Sequence, residues 1–181
     1  MERPAGAAAK ISLLYSAEAL SARVGELARR IVAEMGPSFL VVPILTGSFI
    51  FAADLLRALD EAGAAPDMDF ISLSSYGGGT VSRGSVTILR DVEVPVEGRD
   101  VLIVDDILET GRTLAFARDL MISRGARSVR TCVLLDKPGK LAVEMRADFV
   151  GFECPDLFVV GYGMDADHAY RQLPFVGYLE G

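Results

Sequence analysis

Apolar residues are spaced along this chain in two rhythms, and the alternation between them predicts the architecture. Leu20, Val24, Leu27 and Ile31 recur at helical spacing behind Ser16, a predicted N-cap, with Glu18 in the first turn. Gly36-Pro37 stops that helix. Residues 49–59 repeat the helical rhythm. A third helical stretch starts at Leu114, shows Arg118, Asp119, Ser123 and Arg124 on its polar face, and ends at Gly125. Between and around these lie short runs rich in apolar and β-branched residues, at 39–45, 69–75, 85–90, 101–104 and 129–135. Such runs are the composition of strands buried on both faces. Pro43 sits awkwardly in the first of them, because proline lacks the ladder donor. Strands alternating with helices imply right-handed crossovers, hence an α/β fold with a mostly parallel central sheet flanked by helices. Shorter β-like pieces at 149–152, 158–162 and 175–179 predict a small C-terminal hood over the sheet's carboxyl edge. Residues 1–10, Ala-rich with an early acid and no leucine-rich core, read as a flexible tail, and residues 11–181 as one domain.

The run at 101–104 predicts a strand that stops at two acids, Asp105 and Asp106. Burying such a pair mid-sheet would be costly, since successive side chains point to opposite faces. At the carboxyl end of a strand both reach the crevice where open α/β sheets bind ligands. Residues 109–113, Glu-Thr-Gly-Arg-Thr, then turn into the helix that starts at Leu114. Small and hydroxyl residues at a helix start leave backbone N–H groups to hold a phosphate. Acids for a sugar diol or a metal thus stand beside a phosphate cradle, an arrangement suited to a phosphorylated sugar.

Composition narrows the field. The chain has 181 residues, 51% of them hydrophobic, and a formal net charge of −7. That charge argues against nonspecific binding to nucleic acid or an anionic membrane. It also means that a polyanionic substrate needs local compensation from magnesium and a few placed cations. Cys132 and Cys154 lie in apolar contexts without metal-ligand spacing, as expected of reduced structural thiols in a cytosol. No apolar run approaches the roughly 18 residues of a membrane span.

Further motifs follow the strands. Thr46-Gly47-Ser48 joins a strand to a helix and offers amides to a second anion. Residues 74–80, Ser-Ser-Tyr-Gly-Gly-Gly-Thr, have the glycines, hydroxyls and aromatic ring of a flap, or of a solvated hairpin loop. Lys137 stands just beyond a buried strand, where an ammonium can donate to an exocyclic oxygen. Phe158 is either a stacking platform or core; Asp165 closes a Gly-Tyr-Gly turn, with Arg171 close behind. His168, the one histidine, reads as a solvated loop residue.

The segment from Val101 to Thr113 closely resembles the phosphoribosyl pyrophosphate (PRPP) signature of type I phosphoribosyltransferases. With Leu-Thr-Gly-Ser, Ser-Ser-Tyr-Gly, Leu-Leu-Asp-Lys-Pro and Phe-Val-Val-Gly-Tyr-Gly-x-Asp in order, residues 39–179 resemble the 6-oxopurine salvage branch, the hypoxanthine-guanine phosphoribosyltransferases. The resemblance implies a magnesium-dependent transferase acting on PRPP and a 6-oxopurine. It would be cytoplasmic, a homodimer or homotetramer, and without a nucleic-acid or membrane partner.

It also implies roles. Asp105 and Asp106 would face the ribose hydroxyls, Asp105 partly through Mg2+. Thr110, Gly111, Arg112 and Thr113 would hold the 5′-phosphate. Thr46 and Gly47 would meet pyrophosphate at a cis peptide bond, with Arg171, and Asp165 would take a second magnesium. Lys137 would donate to the purine 6-oxo group, Phe158 stack on the ring and the Val159 backbone read its edge. Ser75 and Tyr76 would belong to the closing flap. Glu109 is a departure, since the family usually has aspartate there to accept the N7 proton. Its extra methylene moves the carboxylate by about an ångström, a displacement that can cost on the order of a hundredfold unless the loop compensates. Two other readings share the PRPP signature: a pyrimidine-operon attenuator that binds RNA and retains uracil transfer, and an inactive PRPP sensor.

Overall fold

The computed structural model describes residues 10–75 and 86–180. The helical rhythm behind Ser16 becomes α1 (Ala17–Met35), whose first turn is capped by Ser16 Oγ accepting the Ala19 amide at 3.2 Å. The second rhythm becomes α2 (Phe49–Glu61), and the third α3 (Arg112–Ser123), which starts two residues earlier than expected. Gly125, at φ 82°, turns the chain after α3.

The strands are β1 (Ile11–Tyr15), β2 (Leu40–Leu45), β3 (Asp67–Met68), β4 (Ile71–Ser75) and β5 (Val86–Arg90). They are followed by β6 (Asp100–Leu108), β7 (Ser128–Asp136), β8 (Phe149–Glu153), β9 (Val159–Val160) and β10 (Val176–Leu179). Among the described residues, one sheet of seven strands has the order β5-β4-β2-β6-β7-β8, with β3 paired to β2. All its pairings are parallel except that of β4 with β5. Both faces are covered, which is why these strands read as apolar runs. Leu102 and Val104 join the core under α1 and α2, while Val101 and Ile103 join the core under α3. No helix among the described residues is long and apolar enough to cross a membrane.

Three features depart from the sequence reading. First, β6 does not stop at the acids but runs through Asp105 and Asp106 to Leu108. Its pairing with β2 ends at Pro43 and Val104, whereas its pairing with β7 continues to Leu108 and Asp136. The acids therefore occupy a strand with one open edge, from which a ligand can reach them, while burial still weighs on both carboxyls. The early end of the β2 pairing also explains how Pro43 is tolerated in a central strand, at the last pair of that ladder. Second, the 149–152 piece is not part of the hood: β8 is the neighbour of β7 in the main sheet. Asp148 pins it there, accepting the Thr131 amide at 2.8 Å and the Thr131 hydroxyl at 3.0 Å. Third, the hood contains a strand that the pattern did not announce. β1 pairs with β10, and β10 with β9, in an antiparallel sheet of three.

One carboxylate organises the edge of the main sheet. Asp69 is buried and accepts the amides of Phe70 (2.8 Å), Glu93 (2.6 Å) and Val94 (3.2 Å), with Arg90 Nη2 at 3.2 Å. Burial alone would raise its pKa, but the three amides and Arg90 outweigh it and hold the carboxyl below its usual range. Asp69→Ala strands the loop amides, and unfolding in urea is expected to show a loss of about 1–3 kcal/mol.

Candidate active site

Two cavities open at the carboxyl edge of the sheet, and they share a wall. The first, of about 350 Å³, is lined by the end of β2, by Thr46 and Gly47, and by β6 and the following loop, including Asp105, Asp106, Glu109, Thr110, Gly111 and Thr113. The second, of about 600 Å³, is lined by Lys137, Lys140, Asp156, Phe158, Val159 and Asp165, among others. Asp106, Ile107 and Glu109 line both. Of the residues singled out from sequence, Thr46, Gly47, Asp105, Thr110, Gly111 and Thr113 line the first cavity only, Lys137, Phe158, Val159 and Asp165 the second only, and Arg112 and Arg171 neither.

The phosphate-side half is shaped by glycine. Gly111 precedes α3 at φ 77°, and a Cβ there would lie 3.0 Å from Met145 and 3.1 Å from Val143. The segment behind the loop is tied to it by the Ala142 amide, which donates to the Thr110 carbonyl at 2.9 Å. Arg112 opens α3 but is exposed and is not among the lining residues. The Leu45–Thr46 peptide is cis. Ser48, fully buried, donates from Oγ to the Ile44 carbonyl at 2.5 Å and closes this turn on itself.

A Cβ on Gly47 would lie 1.7 Å from Asp106 Oδ2, and one on Gly163 2.2 Å from the Gly47 carbonyl oxygen. Asp106, the Gly47 turn and the Gly163 turn are therefore in direct succession. Arg171 completes the group, donating to the Gly163 carbonyl at 2.7 Å and pairing with Asp165 at 2.8 Å. The other Asp165 oxygen accepts the His168 amide at 2.8 Å, so His168 acts here through its backbone, in an exposed loop. Tyr162 ties the same turn to α2, its hydroxyl donating to Asp54 at 2.5 Å.

Electrostatics separate the halves. Burial, and after it the adjoining Asp106 carboxylate, push Asp105 well above the usual carboxylate range; burial raises Asp106 as well. Two buried like charges with an open edge call for a cation. Magnesium takes one or two carboxylates and completes its shell with water and substrate phosphates. The described residues contain no cluster of three or more metal-ligating side chains.

In the second half Lys137 is buried, and its Nζ donates to Glu109 Oε1 at 2.9 Å and to the Leu157 carbonyl at 3.0 Å. Asp156 Oδ1 stands 3.2 Å away. Burial alone would lower the Lys137 pKa, but Glu109 and Asp156 outweigh it and raise it. Reciprocally, the Lys137 hydrogen bond holds the Glu109 carboxyl below its ordinary range.

Phe158 is 60% exposed, which settles the choice left by its sequence: it is not core. Ser75 ends β4, and Tyr76 lies outside the described residues. Lys140 and Asp156 were not singled out from sequence, and their only signal is proximity to Lys137 and Phe158.

The Phosphoribosyl transferase domain family matches residues 11–167 of this chain. Fold and site together therefore define a phosphoribosyltransferase. The hypoxanthine-guanine phosphoribosyltransferase of Bacillus subtilis is 43% identical over 169 residues, covering 93% of this chain and 92% of that protein. A crystal structure of a hypoxanthine-guanine phosphoribosyltransferase from Bacillus anthracis superposes with a TM-score of 0.88 at 40% identity, over 96% of this chain and 100% of that one. The chain belongs to the hypoxanthine-guanine phosphoribosyltransferase family. Its match to the Bifunctional protein TilS/HprT of Listeria monocytogenes, 46% identical, spans 93% of this chain but only 26% of that longer protein.

Proposed function

We propose that this chain serves purine salvage, transferring the phosphoribosyl group of PRPP to hypoxanthine or guanine and releasing pyrophosphate with IMP or GMP. The observation that carries this reading is the shared wall: Asp106 and Glu109 face both a phosphate-side cavity and a base-side cavity. A sugar held between the halves presents C1 to both the leaving and the attacking group.

The roles follow from position. The loop of Thr110, Gly111, Arg112 and Thr113 binds the 5′-phosphate at the start of α3, where amides and the helix dipole favour an anion. Asp105 and Asp106 orient the ribose hydroxyls. Thr46, Gly47 and Arg171 hold the pyrophosphate. Phe158 stacks on the purine, the Val159 backbone reads its edge, and Lys137 donates to the 6-oxo group. As N9 bonds to C1, Glu109 accepts the N7 proton, and its paired lysines keep it ionised for that task. Asp105 and Asp165 are the residues that would hold Mg2+, which when bound supplies positive charge to the departing pyrophosphate. We read residues 11–181 as one catalytic domain, acting in the cytoplasm as a homodimer or homotetramer.

The test is magnesium-dependent nucleotide formation from PRPP, with hypoxanthine, guanine, xanthine, adenine and uracil offered separately. Turnover confined to 6-oxopurines is expected. Turnover of uracil, or PRPP binding with no turnover of any base, would contradict the proposal.

A further inference from the structure

We infer that Lys140 is a positioning residue for base capture: it holds the Glu109 and Asp156 carboxylates and so releases Lys137 to the purine. This rests on the base-side reading of the second cavity and adds to it a residue that the family resemblance does not assign.

An ammonium has three donors. Two of those of Lys137 are hydrogen-bonded, to Glu109 Oε1 (2.9 Å) and the Leu157 carbonyl (3.0 Å), and Asp156 Oδ1 stands beside the ammonium as an ion pair at 3.2 Å. A purine oxygen can be bound only if one of these contacts is given up. Withdrawing the ammonium from the half-buried Glu109 is costly when nothing replaces it, whereas the exposed Asp156 can be met by water.

Lys140 is the replacement. Its Nζ lies 2.6 Å from Asp156 Oδ1 and 3.5 Å from Glu109 Oε1. These are the same two oxygen atoms that Lys137 uses. Two cations and two carboxylates therefore form a cluster at the rim of the cavity, and when Lys137 turns inward Lys140 remains as the cation facing both carboxylates. Exposure fits the division of labour: the Lys137 side chain is 7% exposed and anchored, whereas Lys140 is 45% exposed and free to follow the carboxylates.

The experiment is steady-state kinetics of Lys140→Met and Lys140→Arg beside the parent chain, with both substrates varied. For Lys140→Met the KM for hypoxanthine is expected to rise by about fivefold, the range of a partly exposed ion pair, with the KM for PRPP unchanged and any fall in kcat smaller than the rise in KM. Lys140→Arg, which keeps the cation, is expected to restore the parent KM. An unchanged hypoxanthine KM in Lys140→Met, or an equal rise for both substrates, overturns the role of Lys140 while leaving the transferase reading intact. Absence of 6-oxopurine turnover in the parent overturns both. Melting temperatures of the variants are read alongside: a fall matched by loss of both KM values marks a structural effect and counts against the inference.

Discussion

Gly47→Ala is expected to reduce kcat/KM for PRPP by on the order of a hundredfold or more, while the protein still folds. The added Cβ would lie 1.7 Å from Asp106 Oδ2 and 2.7 Å from Asp106 Cγ. Real Cβ atoms do not approach so closely, so one partner must move. The turn cannot retreat far, because the Gly163 position lies against the Gly47 carbonyl oxygen on its other side. Asp106 is then the group displaced, and Asp106 lines both halves of the site. A shift of about an ångström there misaligns the sugar with both the leaving and the attacking group. The measurement is initial rate against PRPP at saturating hypoxanthine, with a thermal melt beside it. A normal melt with a collapsed kcat/KM is the expected pair of results. Parent-like kinetics would show that the turn does not set the position of Asp106.

Lys137→Ala is expected to lower kcat/KM for hypoxanthine by roughly a hundredfold, the scale of about 3 kcal/mol for a charge-assisted hydrogen bond in a buried site. PRPP affinity should change little, since Lys137 lines the second cavity and not the first. The same change has a pH signature. Its hydrogen bond to Lys137 is the largest influence holding the Glu109 carboxyl low. In the parent, Glu109 therefore stays ionised, and able to accept a proton, below the ordinary glutamate range. Removing Lys137 raises the Glu109 pKa, so the acidic limb of kcat/KM moves to higher pH. Equal losses toward PRPP and hypoxanthine would count against the base-side assignment.

What the sequence disclosed, and what it hid, follows from the range of the interactions involved. The turn from β6 into α3 was legible because its hydroxyls and glycine are consecutive, and local chemistry fixes their place at a helix start. The α1 cap was legible for the same reason: Ser16 and Ala19 are neighbours in one turn.

β1 was invisible because its partner β10 lies at the other end of the chain, so no local pattern distinguishes its five residues from a loop. β8 was misplaced because its position is decided by Asp148 reaching back to Thr131. The extension of β6 through two acids contradicted a sound rule about buried charge. The early end of β2 pairing, at Pro43, leaves one edge of that stretch open, but the burial that the rule warns of is still felt by both carboxyls. Lys140 and Asp156 escaped notice since a charged residue in a loop usually means nothing more than solvent. Their meeting at Glu109 is created by the fold.

The most direct test of the account is a crystal structure of the chain with IMP. The account predicts the 5′-phosphate on the loop of residues 110–113, the ribose hydroxyls toward Asp105 and Asp106, the 6-oxo group on Lys137 and the ring against Phe158. A purine bound away from Lys137, or a phosphate seated elsewhere than the start of α3, would contradict it.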